Sequence, residues 1–206
     1  MRYLVFSYLF FINIFFNYAM STEEPEFKII SEIDDFQIRE YEPKIIAQVK
    51  LDGTYEEASS KGFKLLADYI FGNNLLDGES QKISMTTPVE ISPMAENLLM
   101  TSSIMDETLN NKWAMNFVMP KEFTLNTLPK PNNSEITIIE VPKEKYAVII
   151  FSGLVRESSY AKKAEMLSDY LRENNYLQQG PIKIARYNPP WTLPFFRRNE
   201  LLVKVN

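Results

Sequence analysis

The chain writes one pattern twice. Residues 140–170 read as a polar turn, an apolar and β-branched run, a Gly stop and an amphipathic helix ending in Asp169-Tyr170. Residues 40–69 follow the same plan. Glu40, Ala47 and Gly53 match Glu140, Ala147 and Gly153 at an offset of 100, and Leu66, Asp68 and Tyr69 match Leu167, Asp169 and Tyr170 at 101. The offset of 101 also aligns Lys82, Ile83 and Pro88 with Lys183, Ile184 and Pro189. Solenoid units span roughly 20–50 residues, so this is not one. The repeat predicts a strand–turn–strand–helix–strand unit used twice. It predicts half-domains of about residues 35–120 and 135–206 that share one core, with a cleft between them.

The first twenty residues stand apart. Arg2 supplies a positive start, Tyr3 to Phe16 is almost entirely aliphatic and aromatic, and Ala19 offers a small residue for cleavage. That is the pattern of a secretory signal peptide over residues 1–19. The alternative is an uncleaved anchor, but the apolar run falls short of the roughly 20 residues that span a bilayer. The sequence therefore predicts export to a periplasm or the medium, with no stable membrane insertion once the leader is removed.

Missing residue types exclude whole chemistries. The chain has no Cys and no His. Disulfides, thiolate nucleophiles, Ser-His-Asp catalysis and His-ligated haem are therefore impossible. A net charge of −5 gives no basic footprint for nucleic acid. There is no G-x-S-x-G, Gly-rich phosphate loop or metal cluster, and the Glu56-Glu57 pair is explained by helix capping. The sequence points to binding, not catalysis.

Strands are expected at 27–33 and 36–41 around an Asp34-Asp35 turn, then at 45–51 after Pro43. Thr54-Tyr55-Glu56-Glu57 is a capping box. It opens a helix running to about Phe71, with Gly72 just past its end. The apolar residues of this helix cover an arc of roughly 200°, against the 100° or so that packing on a sheet requires. The excess includes Phe63 and Ala67. Either the helix is sunk between sheet and loops, or one shoulder lines an apolar groove. Further strands are expected at 82–92, where Pro88 implies an edge or a bulge, and at 113–119, with a short one at 98–104. Residues 135–141 and 146–152 read as a second hairpin. A second helix over 158–173 buries Tyr160, Ala164, Leu167 and Leu171, and strands at 181–187 and 199–205 close the chain. The aromatic, proline-rich stretch 188–198 reads as a stiff cover over one end of the sheet, with a partner surface as the alternative.

Several of these stretches carry a family likeness. KISMTTPV at 82–89, the pattern of Trp113, Phe117, Met119 and Pro120, LPKP at 128–131, FSG at 151–153 and YNPPWTLPFFRRNELLVKV at 187–205 together resemble the SOUL haem-binding protein family. The likeness covers residues 24–205. It implies an α+β fold: a twisted antiparallel β-barrel flanked by two α-helices, built from two pseudo-symmetric ββαβ-type halves. It also implies non-covalent binding of haem or another tetrapyrrole along the first helix, through apolar contacts helped by basic side chains. Aligned through Asp68-Tyr69-Ile70, the family's basic positions fall on Ser60 and Asp68, and its apolar contacts on Phe63 and Ala67. Lys61 and Lys64 lie on the neighbouring face as substitute cations. Met85 is a further candidate contact, with core packing as its plainer role. Iron ligation is left to Tyr, Met or Lys. The second reading is a module for another flat apolar ligand or a protein partner.

Overall fold

A computed structural model of the chain describes residues 22–94 and 112–206. The leader and the short strand expected at 98–104 lie outside these residues. Strands β1 (Phe27–Ile33), β2 (Phe36–Tyr41) and β3 (Lys44–Asp52) lead into helix α1 (Tyr55–Ile70). After it come β4 (Asn74–Leu75), β5 (Val89–Pro93), β6 (Lys112–Val118), β7 (Lys130–Pro131), β8 (Ile136–Val141) and β9 (Glu144–Phe151). Helix α2 (Glu157–Glu173), β10 (Lys183–Arg186), a single 3-10 turn (Pro194–Phe196) and β11 (Asn199–Lys204) complete it. The fold is α+β, as expected. Nine strands form one strongly curled antiparallel sheet in the order β1-β2-β9-β11-β10-β5-β6-β3-β8. The curl stops at a half-barrel, with β1 and β8 as its free edges. β4 and β7 pair separately.

Pairing departs from the expected hairpins in an instructive way. β1 and β2 form a hairpin around Asp34, whose φ of 52° suits a tight turn. β8 and β9 do not pair with each other. β8 lies on β3, and β9 lies between β2 and β11. The reason is in the links. Glu42-Pro43 and Pro142-Lys143 each put proline in a two-residue connection. Proline holds φ near −65° and cannot adopt the positive φ of a tight hairpin, so the strands diverge and seek partners elsewhere. The two ladders that result share a register. Lys145 faces Glu40 and Ala147 faces Ile38, while Ile45 faces Glu140 and Ala47 faces Ile138. Moving each residue by 100 converts one ladder into the other.

The offset of 101 does not extend to the third strand. Lys183 and Ile184 are in β10, but Lys82 and Ile83 precede β5. The Ile83 N–H donates instead to Ile70 O at 2.8 Å, closing the end of α1, and Thr86 Oγ1 donates to Val118 O at 2.5 Å. Pro88 sits just before β5, after a cis peptide bond. β5 itself is interior, between β10 and β6.

Both helices cover the same face of the sheet. Ala47, Val49, Met115 and Phe117 meet Leu66, Tyr69 and Ile70 of α1 in one core with Ala147, Ile149, Leu201, Tyr160 and Leu167. The capping box forms as read: Glu57 N–H donates to Thr54 Oγ1, and Thr54 N–H donates to the Glu57 carboxylate. Gly62 lets α1 approach the sheet closely, since a Cβ there would lie 2.6 Å from Leu51 Cδ1 and 2.9 Å from Met115 Sδ. The opposite face carries Tyr41, Tyr146, Val148 and Leu202 among charged side chains.

Candidate functional site

Three places could hold a ligand, and their chemistry separates them. The first is the polar face opposite the helices. Arg39 donates to both Glu200 carboxylate oxygens at 2.9 and 3.1 Å, and Tyr187 OH donates to Glu200 at 2.7 Å. Glu90 lies between Lys44 and Lys183, at 3.1 and 3.4 Å. Tyr146 OH donates to Glu144 at 2.6 Å, and Lys204 pairs with the same carboxylate at 2.7 Å. Each buried charge has an opposite partner, as burial demands. Burial works to raise the Glu90 carboxyl, but the two ammonium groups override it and hold it at about 2. Burial pushes the Tyr146 phenol up to about 12, against the pull of Lys183. These groups hold one another and leave nothing over for a ligand.

The second place is a cleft of about 410 Å³ beside the N-terminal arm. Ile45, Val118, Met119 and Phe123 give it an apolar floor, and Glu23, Glu24, Glu26, Glu42 and Glu140 line it, against Lys44 and Lys121. An acidic rim repels the carboxylates of a tetrapyrrole. None of Ser60, Phe63, Lys64, Ala67 or Met85 lines this cleft.

The third place is the outer shoulder of α1. Ser60, Phe63, Lys64 and Ala67 are spaced i, i+3, i+4, i+7 and so share one stripe, which Phe71 extends by one more turn. α1 is not sunk on this side. Phe63 stays 41 % exposed and Phe71 60 % exposed, while Ala58, Gly62, Leu66, Tyr69 and Ile70 take the buried face. Phe63 rests edge-on against Phe117 with ring centroids 5.5 Å apart, so its ring is fixed although half open. Lys82 Nζ lies over the Phe71 ring, 6.0 Å from its centre. Ser60, Lys61 and Lys64 are exposed, and Ala67 is half-buried. Met85 is half-buried against the shared core.

The residue reading thus found the stripe but missed Phe71 and Lys82 at its C-terminal end. The periodicity that exposes Phe63 also exposes Phe71, eight residues on. Lys82 gave no local signal, because a chain reversal brings it back to the helix. A tyrosine ligand for iron finds no support here. Tyr69 OH donates to Pro129 O at 2.7 Å, and burial pushes its phenol further from ionisation.

The chain is thus an α+β protein with one strongly curled antiparallel sheet backed by two helices. The family described as SOUL heme-binding protein matches residues 22–204, and the chain belongs to it. No curated protein matches the chain. Among solved structures, it is similar to the C-terminal domain of EcmrR, with a TM-score of 0.60 at 11% identity over 83% of this chain and 96% of that one. It is also similar to a conserved protein from Listeria innocua, with a TM-score of 0.55 at 12% identity over 95% and 98%. A protein described as a hydrolase from Listeria innocua gives a TM-score of 0.52 at 12% identity over 95% and 98%. At such identities the likeness is one of fold.

Proposed function

We propose that the chain is an exported, non-catalytic binder of haem or a related porphyrin, held without a covalent bond along the outer shoulder of α1. The observation that carries this is the pair of exposed rings, Phe63 and Phe71, on one stripe with Lys64 and Lys82 beside them. A porphyrin is a flat apolar disc with carboxylates at one edge. Rings that cannot retreat into the core suit its face, and lysines suit its edge. Ser60, Lys61 and Ala67 complete the shelf, with Met85, half-buried against the shared core, as a weaker candidate contact. Bound haem would supply a redox-active iron, but with no His or Cys in the chain the affinity comes from apolar contact and charge. Membership of a haem-binding family supports the same reading. The shared register of the two ladders supports an internal duplication as the origin of the fold. The leader pattern of residues 1–19 supports export, which N-terminal sequencing of the protein recovered from its host would test.

Hemin titration tests the binding. A saturable Soret shift at micromolar protein is expected, with iron-free protoporphyrin binding within about threefold of hemin, because no strong protein–iron bond adds to it. Absence of saturation with either compound ends this reading.

A further inference from the structure

Between β10 and β11 the chain runs Asn188-Pro189-Pro190-Trp191-Thr192-Leu193-Pro194-Phe195-Phe196-Arg197-Arg198. Its rings are not packed against the sheet as a cover would be. Trp191 is 82 % exposed, Phe195 65 % and Phe196 69 %, and Leu193 and the neighbouring Leu154 are exposed too. The loop is nonetheless held firmly. Arg197 Nε donates to Thr192 O at 2.8 Å, and the same guanidinium donates to Pro190 O. Arg198 N–H donates to Asn188 Oδ1 at 2.6 Å, and Gly153 N–H donates to Pro194 O at 2.9 Å. Three prolines stiffen it further. A stiff loop cannot fold its rings inward, and an ordered one loses little entropy on docking. Clustered exposed aromatics of this kind mark an interaction surface.

Charge selects what docks there. Residues 188–198 and the adjoining 152–156 contain no carboxylate; Arg198 is paired with Glu24 and Glu200, which leaves Arg156 and Arg197 as the cations beside the rings, in a chain of net charge −5. Among the described residues, no salt bridge involves Arg156 or Arg197. Tryptophan and phenylalanine beside arginine suit a lipid interface: rings sink below the headgroups while guanidinium groups meet anionic phosphates. The start of the described chain lies at the same corner. Glu24 pairs with Arg198, and Thr22 is two residues away, within about 7 Å of extended chain.

We propose that the Trp191–Phe196 loop is a docking surface for an anionic membrane interface. It is separate from the porphyrin shelf, and its test uses no porphyrin. The chain has two tryptophans. Trp113 is buried, with its indole N–H donating to Gly53 O at 3.0 Å, so a response to lipid reports Trp191. The full chain is mixed with phosphatidylglycerol vesicles bearing brominated acyl chains. Trp191 emission should shift to the blue, lose quenching by iodide and gain quenching by bromine, and W191F should abolish all three changes. The double variant Phe195→Ser with Phe196→Ser should cut bromine quenching about tenfold, and pure phosphatidylcholine should do the same. Both phenylalanines are exposed, so unchanged thermal unfolding verifies that the variant is folded. Trp191 left open to iodide on vesicles that sediment with the protein would overturn the proposal, because attachment would then run through the leader. Failure to sediment with any vesicle would also overturn it and would favour a protein partner.

Discussion

Glu90 shows how single residues govern stability on the polar face. Its carboxylate is buried between Lys44 and Lys183 and held at about 2, below the ordinary 4.5. A depressed folded value means that the stabilisation is complete above pH 4.5 and fades as pH falls toward 2. The unfolding free energy from urea titrations should therefore fall over that window by about 3 kcal/mol, with the urea midpoint falling in step. Glu90→Gln should cost about 3 kcal/mol at pH 7, because it leaves two ammonium groups without their counter-charge, and should flatten the acid limb. Denaturation curves at pH 7 and pH 3 for both chains check both outcomes. Arg39 and Glu200 form a second buried ion pair on this face, and neither is marked as special in the sequence. Alternation puts both on one face, but only a ladder running β2-β9-β11 brings residues 39 and 200 together.

At the scale of elements, α1 carries the proposed porphyrin shelf and was largely legible. Its cap, its stop at Gly72 and its overwide apolar arc are all local signals, and the structure bears them out. Gly62 is the position where helix and sheet come closest. Gly62→Val should lower stability by about 2 kcal/mol by driving branched methyls into Leu51 and Met115, outweighing any gain in helix propensity, and thermal unfolding would read it. On the outer stripe the expected effects separate. Phe63→Ser and Phe71→Ser should each lower hemin affinity about tenfold; unfolding free energy should change by less than about 1 kcal/mol for Phe71, which is 60 % exposed, and by about 1–2 kcal/mol for Phe63, which is 41 % exposed and packs on Phe117. In the 188–198 loop the proline content was legible, whereas the exposure of the rings was not. Rigidity is local, coming from prolines and from Arg197 bonding nearby carbonyls, whereas exposure depends on what else lies over the loop.

The molecule as a whole interlocks strands from either side of the 124–134 connection. β2 pairs with β9 and β3 with β8, so neither side of that connection holds its own strands together, and the core draws on both helices. Cutting the chain within the 124–134 connection should leave two fragments that are each unfolded alone. The intact chain should unfold in one transition, with Trp113 emission and far-UV circular dichroism coincident. A fragment with a cooperative transition of its own would contradict the shared core. The sequence by itself determined where most of the elements lie, the cap of α1 and the chemistry excluded by lacking His and Cys, because these depend on neighbours in the chain and on residue type. Tertiary structure alone decided that proline links send paired strands apart, that Lys82 returns to Phe71, that acidic groups collect around the cleft, and that the aromatic loop stands in water. Each of these is a meeting of residues distant in sequence, set by how the sheet curls and by what the helices leave uncovered.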